Sequence, residues 1–247
     1  MSRTLLITGA AGKIGSFLIS AFAGNYELRL TDIHEPSPMP PYPFSAVDLV
    51  DLERVRPLCR GIDTVIHLGA DPRTFAPWET LLPANVVGAY NIFQAAAEAG
   101  CRRVIFASSI NAVAGYPTET QINTSMPLRP LNLYGATKAW GEVLGRLYAD
   151  QHNLSVICLR FGAVVAPTNR EWIYPGNPFL SSVLTLDDCV RLVIASIEAP
   201  DDLRFGVYHG VSNNRYKRLD ISDARAQIGY DPQDDAFALG ESDVTTV

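Results

Sequence analysis

Tyr134 and Lys138 stand four residues apart in the stretch LNLYGATKAWGE, a spacing that sets both side chains on one face of a helix. A free phenol ionises near ~10, and lowering that value by one unit takes about 1.4 kcal/mol of interaction favouring the phenolate. A neighbouring ammonium supplies such an interaction, so the pair is suited to exchanging a proton near neutrality. Ser108-Ser109 closes the apolar run RVIFA, which brings their hydroxyls to the carboxyl edge of a sheet, where open α/β folds bind ligands. From there Ser109 can hydrogen-bond a substrate oxygen while Tyr134 acts as general acid or base.

A second chemical signal lies near the start. In TGAAGKIG (Thr8–Gly15) the glycines Gly9, Gly12 and Gly15 fall between an apolar run and a helical pattern. Gly9 permits a tight turn, Gly12 lets the backbone approach a pyrophosphate, and Gly15 lets helix and strand pack. The N–H groups at the helix start, Lys13 and Ile14 included, then face the phosphates. Asp32 ends the second apolar run, where a carboxylate accepts hydrogen bonds from ribose hydroxyls and repels a 2′-phosphate. No Lys or Arg follows closely, so NAD is expected rather than NADP. Asp48 and Leu49 follow the third strand and are expected to border the adenine.

These groups need a scaffold to hold them. Runs rich in β-branched residues at Thr4–Thr8, Glu27–Thr31, Ser45–Asp48, Thr64–Leu68, Arg103–Ala107 and Ser155–Arg160 read as strands buried on both faces. Between them lie helical patterns: Ile14, Phe17, Leu18, Ala21 and Phe22 share one face, and Asn85–Ala99 repeats the theme with Val86, Tyr90, Phe93 and Ala97. Such alternation predicts an α/β fold, a Rossmann-type doubly wound parallel sheet. The Pro-rich EPSPMPPYPF segment reads as a surface loop. One domain over 1–247 is expected, with about 163–247 forming a small cap, a helix near Leu186–Ala199 and a short strand near Gly206–Val211.

Composition removes other classes. The chain has 247 residues, 47% of them hydrophobic, and its net charge of −6 is spread without a basic stripe, so nucleic acid is not an expected partner. No window is apolar enough to span a membrane, and MSRTLLITG lacks a signal-peptide cleavage site. The four cysteines, Cys59, Cys101, Cys158 and Cys189, are too scattered for a metal site and read as core thiols in a reducing cytoplasm.

Taken together, TGAAGKIG, Asp32, HLGA (His67–Ala70), NVVGAYN (Asn85–Asn91), FASS (Phe106–Ser109), YGATK (Tyr134–Lys138) and LRFGAV (Leu159–Val164) resemble the extended short-chain dehydrogenase/reductase superfamily. The resemblance implies that Tyr134 is the catalytic acid/base, that Lys138 lowers its pKa and holds the nicotinamide ribose, and that Ser109 orients the reacting oxygen. It also implies that Leu68, Gly69 and Ala70 line the cofactor, that Asn85 braces the site, and that the chain pairs as a homodimer. The short segment after Gly162 favours an unactivated substrate, and the chain looks most like uronate dehydrogenases and related hexose dehydrogenases, which oxidise the C1 hydroxyl of a cyclic sugar to a lactone. Two departures bear on substrate choice: Ile110-Asn111 replaces the Asn-His pair of the uronate enzymes, and Ala163 stands where they carry a serine. An anionic sugar would then fall to Arg73 or Arg170, with Ser108 and Ser109 nearby. A nucleotide-sugar epimerase or dehydratase with tightly bound NAD is the alternative, and a non-catalytic NAD-sensing or scaffold protein a more distant one.

Overall fold

The apolar runs become strands because each is covered on both sides. The computed structural model describes residues 3–169 and 171–242. Strands β1 (Thr4–Thr8), β2 (Glu27–Asp32) and β3 (Phe44–Ala46) come first, then β4 (Thr64–His67), β5 (Arg103–Ser109) and β6 (Ser155–Phe161). With β7 (Ala163–Val165), β8 (Val183–Thr185) and β9 (Phe205–Gly210), they form a seven-stranded sheet of order β3-β2-β1-β4-β5-β6-β9 and a separate β7-β8 pair. Every neighbour in the large sheet is parallel.

Alternate residues of a strand enter opposite cores. Leu5 and Ile7 pack with helices α1 (Lys13–Phe22) and α6 (Leu186–Ile197), whereas Leu6 packs with α2 (Leu52–Cys59), α4 (Gly88–Glu98) and α5 (Leu133–Gln151). The strand order runs outward from β1 to β3 and then returns to β4 on the other side of β1. That reversal opens a crevice at the carboxyl ends of β1 and β4, the place where doubly wound sheets take ligands.

Helix α5 lies unusually close to the sheet. A Cβ on Gly141 would stand 2.2 Å from a Phe106 ring carbon, and one on Gly145 would stand 2.8 Å from Val156 Cγ1. These two glycines, one helical turn apart, let the segment bearing Tyr134 and Lys138 settle against β5 and β6.

Two expectations are revised. Ahead of α4, a short helix α3 (Trp78–Leu81) passes into a wide π-helical turn over Leu82–Val87. The face that α4 buries holds Ala89, Ile92, Phe93 and Ala96; of the expected row Phe93 is fully buried, whereas Val86 and Ala97 are only partly so and Tyr90 is 42% exposed. The helix is apolar on two sides, and the side with alanines approaches the sheet more closely. The segment 163–247 is also only partly a cap. Helix α6 packs on the central sheet and β9 is its seventh strand, so the material above the carboxyl edge consists of the β7-β8 pair, the 166–182 loop with its described residues, and helices α7 (Ser222–Ile228) and α8 (Ala236–Glu241). Among the described residues no helix is long and apolar enough to cross a membrane.

Candidate active site

The glycine turn is built for close approach. Gly9 has φ +69° and a Cβ there would meet the Gly69 nitrogen at 2.8 Å, while a Cβ on Gly15 would lie 2.3 Å from the Gly9 carbonyl oxygen. Gly12 caps α1 in extended conformation, no side chain caps the helix, and its first turn carries no acid, so the N-terminal N–H groups and their partial positive charge remain available. Asp32 is fastened to this turn: its Oδ2 accepts from the Ala11 N–H at 2.9 Å and its Oδ1 from the Ile33 N–H at 2.7 Å. Oδ1 also accepts from the His34 N–H at 3.3 Å, which leaves Oδ2 with an acceptor position for a ribose hydroxyl. The residues present therefore fit a dinucleotide whose diphosphate rests on α1 and whose adenosine ribose meets Asp32.

The neighbouring groups flank the same crevice. Leu49 packs against Gly69 and Gly88, where a Cβ on either glycine would meet it at 2.8 and 3.3 Å, and Asp48 closes its own turn by accepting from the Val50 N–H. Leu68 packs into the α1-side core, and Ala70 is half-buried. Ile14 also packs against that core, while the Lys13 ammonium donates to the Val164 carbonyl at 2.7 Å and so joins α1 to β7. Asp32→Ala is expected to weaken NAD binding about tenfold or more, the worth of a hydrogen bond to a charged group, and to raise tolerance of NADP. Titration of the variant with both nucleotides, showing an unchanged ratio of affinities, contradicts the ribose assignment.

At the carboxyl end of β5, Ser109 Oγ accepts from the Asn111 backbone N–H at 3.1 Å and from Asn111 Nδ2 at 3.2 Å. With its acceptor positions filled from behind, the hydroxyl proton is left to donate outward. Asn111 Oδ1 in turn accepts from Asn132, whose own Oδ1 caps α5 through the Gly135 N–H at 2.8 Å. Ser109 and the first turn of α5 are thereby locked together. Tyr134 lies within reach of Ser109, which favours the phenolate, yet burial is the stronger influence and pushes the phenol up to about 12, with the charge of Asp71 adding to it. Lys138 lies beside the Phe106 and Tyr134 rings, 5.2 and 5.6 Å from their centroids, and burial brings its ammonium down to about 8. Burial acts against the acidified phenol expected from the sequence.

Asn85 ties the loop after β4 to α5. Its Oδ1 accepts from the Asp71 N–H at 2.7 Å and its Nδ2 donates to the Asp71 carbonyl and to Thr137 Oγ1, which donates to the Tyr134 carbonyl at 2.8 Å. Asp71 was not singled out from the sequence; it directly follows the HLGA motif. Its carboxylate accepts from Arg73 Nε at 2.9 Å, Arg73 Nη2 at 2.6 Å and Thr80 Oγ1 at 2.7 Å, and these partners hold it well below the usual carboxylate range.

The substrate candidates divide. Ser109, Ile110, Asn111 and Ala163 gather at the carboxyl edge. Arg73 is near it but is paired with Asp71, so its charge is already balanced. Ser108 is a correction: it is 3% exposed and its hydroxyl donates inward to Glu142 Oε1 at 2.5 Å, away from any substrate. Arg170 lies outside the described residues. The aromatic residues Trp172 and Phe179 meet at a tilt of 50° in the loop above, with centroids 6.4 Å apart. His67 is buried beside Thr8 and neutral, brought down to about 3, and His209 is buried behind β6. Arg160, the one charged residue of β6, and Glu142, on the buried face of α5, were the available signal for a buried ion pair that sequence reasoning passed over.

A dinucleotide turn and proton-exchanging groups at one edge of a doubly wound sheet suit an NAD-dependent enzyme acting on alcohols or carbonyls. This chain belongs to the NAD dependent epimerase/dehydratase family, whose pattern spans residues 5–203. It is 35% identical to an NAD-dependent glucose-6-phosphate dehydrogenase of Haloferax volcanii, over 96% of this chain and 95% of that one. It is 33% identical to a uronate dehydrogenase of Pseudomonas syringae pv. tomato, over 93% of this chain and 82% of the relative. Among solved structures, a uronate dehydrogenase variant from Agrobacterium tumefaciens complexed with NAD superposes with a TM-score of 0.88 at 32% identity, covering 100% of this chain and 91% of that one.

Proposed function

We propose that this protein oxidises the C1 hydroxyl of an unactivated cyclic sugar or sugar acid to a lactone, with NAD as oxidant. The observation that carries the reading is the convergence, at the carboxyl edge of one sheet, of an uncapped glycine turn tied to Asp32 with a Ser109–Tyr134–Lys138 cluster. Bound NAD would supply the hydride acceptor and a cationic ring. Ser109 holds the substrate hydroxyl by its outward proton, Tyr134 removes the hydroxyl proton as the C1 hydride departs, and Lys138 favours the phenolate. The sugar dehydrogenases among the relatives support oxidation with net reduction of NAD over the epimerase reading, in which the hydride returns to the substrate.

The test is a panel of uronates, sulfo-sugars, sugar phosphates and neutral hexoses incubated with protein and free NAD. Accumulating NADH is expected with at least one of them. Isomerised sugars without NADH would instead establish the epimerase.

The same chain is inferred to act as a homodimer in the cytoplasm. Trp78, Leu82 and Tyr90 are exposed at four- and eight-residue spacing along α3 to α4, and Trp140, Val143 and Leu147 form an exposed stripe on α5. Two packed helices with apolar outer stripes suit pairing with a second copy. All four thiols are free and buried, which suits a reducing compartment. Sedimentation is expected to show a dimer that Trp140→Glu converts to a monomer; a monomeric wild type would refute the pairing.

A further inference from the structure

Glu142 stands four residues beyond Lys138 on α5, the spacing at which a carboxylate and an ammonium on one helix become neighbours. Neither is used that way. Glu142 Oε1 accepts from Ser108 Oγ at 2.5 Å and from Arg160 Nε at 2.8 Å, and its Oε2 accepts from Arg160 Nη2 at 2.7 Å. Arg160 and Glu142 side chains are each 4% exposed, so this is a closed, bidentate pair between α5 and β6. The remaining Arg160 Nη1 faces His209 Nε2 at 3.4 Å, and His209 Nδ1 meets the Asp220 carbonyl at 2.9 Å.

Such a pair needs a reason, because buried ion pairs are commonly replaceable by apolar side chains without loss of stability. The surroundings of Lys138 provide one. Its ammonium faces the Phe106 ring from β5, the Tyr134 ring from its own helix and the neutral His67 from β4. Asp71, from the loop after β4, acts on the phenol but is held by Arg73 and Thr80. One turn further along the same face of α5, Ser108, Cys158 and His209 surround Glu142 and Arg160, and none of them carries a carboxylate. Among the described residues Glu142 is thus the carboxylate that helical spacing offers to Lys138.

We propose that Arg160 is a positioning residue: by gripping both oxygens of Glu142 from β6, it keeps that carboxylate off the Lys138 ammonium and leaves the ammonium's charge to act on the Tyr134 phenol. The proposal rests on the roles given above to Tyr134 and Lys138. It concerns the charge reaching the reaction, not contact with substrate.

The test follows the Lys138 ammonium in the full chain by carbon NMR of lysine labelled at Cε, the resonance being assigned with Lys138→Met. In wild type the midpoint is expected near 8. Arg160→Met frees Glu142 to approach Lys138 and is expected to raise the midpoint by about one unit or more. Glu142→Gln leaves Arg160 uncompensated and is expected to lower it, and the double variant Glu142→Gln/Arg160→Met to return it toward wild type. A purely structural pair would disturb both single variants in the same direction. A wild-type midpoint in folded Arg160→Met, or an unmoved or raised one in Glu142→Gln, overturns the proposal. If Arg160→Met does not fold, Glu142→Gln decides alone. No sugar enters the experiment, so failure of the proposed reaction and failure of this inference are read separately.

Discussion

Tyr134→Phe is expected to lower the rate of NADH formation about 10²- to 10⁴-fold, the range for loss of a positioned acid or base, while NAD affinity stays near that of wild type. The substitution removes one oxygen. Packing survives it, because the ring remains against the Ser109 edge and the Asn132 cap, the Thr137 hydrogen bond to the Tyr134 carbonyl and the Asn85 brace involve none of the lost atom. Steady-state rates with a saturating sugar, alongside nucleotide titration by fluorescence, separate the two effects. Full turnover in the variant would remove Tyr134 from the proton transfer.

Lys138→Met should act through pH. Sugar oxidation uses the phenolate, so the rate climbs as pH rises through the phenol's apparent pKa. Burial, with the charge of Asp71 adding to it, holds that group up to about 12, and the Lys138 ammonium, 5.6 Å from the ring centroid, carries the charge that favours the phenolate. Its loss is expected to move the climb upward by at least about one unit, a tenfold or greater loss at neutral pH. The sign can be checked at the other end of the scale. Lys138 carries its charge below about 8 and sheds it above, so the advantage of wild type over Lys138→Met is greatest at neutral pH and narrows in alkali. Profiles of kcat/KM that are parallel across that range would contradict an electrostatic role.

Much of the scaffold was legible because burial on two faces leaves a simple trace. TLLIT, TVIH and RVIFASS are continuous runs since consecutive residues such as Leu5, Leu6 and Ile7 enter alternate cores, and glycines three apart between a strand and a helix have few other uses. The parallel β7-β8 pair escaped, each strand being three residues long and defined only by its partner. The inward face of α4 was misjudged because apolar residues ring that helix, and only the approach to the sheet decides between them. Ser108 and Ser109 looked alike, but one hydroxyl meets Glu142 and the other the active-site edge, a difference that depends on a carboxylate 34 positions away. The elevated phenol had no signature either, since desolvation is a property of the folded surroundings.

The wide π-helical turn between α3 and α4 acts as a phase adjuster for everything upstream of it. Excising one residue from this turn would tighten it to ordinary helical geometry and change the facing of the residues inside it, Asn85 included, parting Asn85 from Asp71 and with it the strut running to Thr137. Length at this point is therefore as constrained as chemistry is at the sheet edge, and natural variants of the enzyme should shorten or lengthen almost anywhere sooner than here.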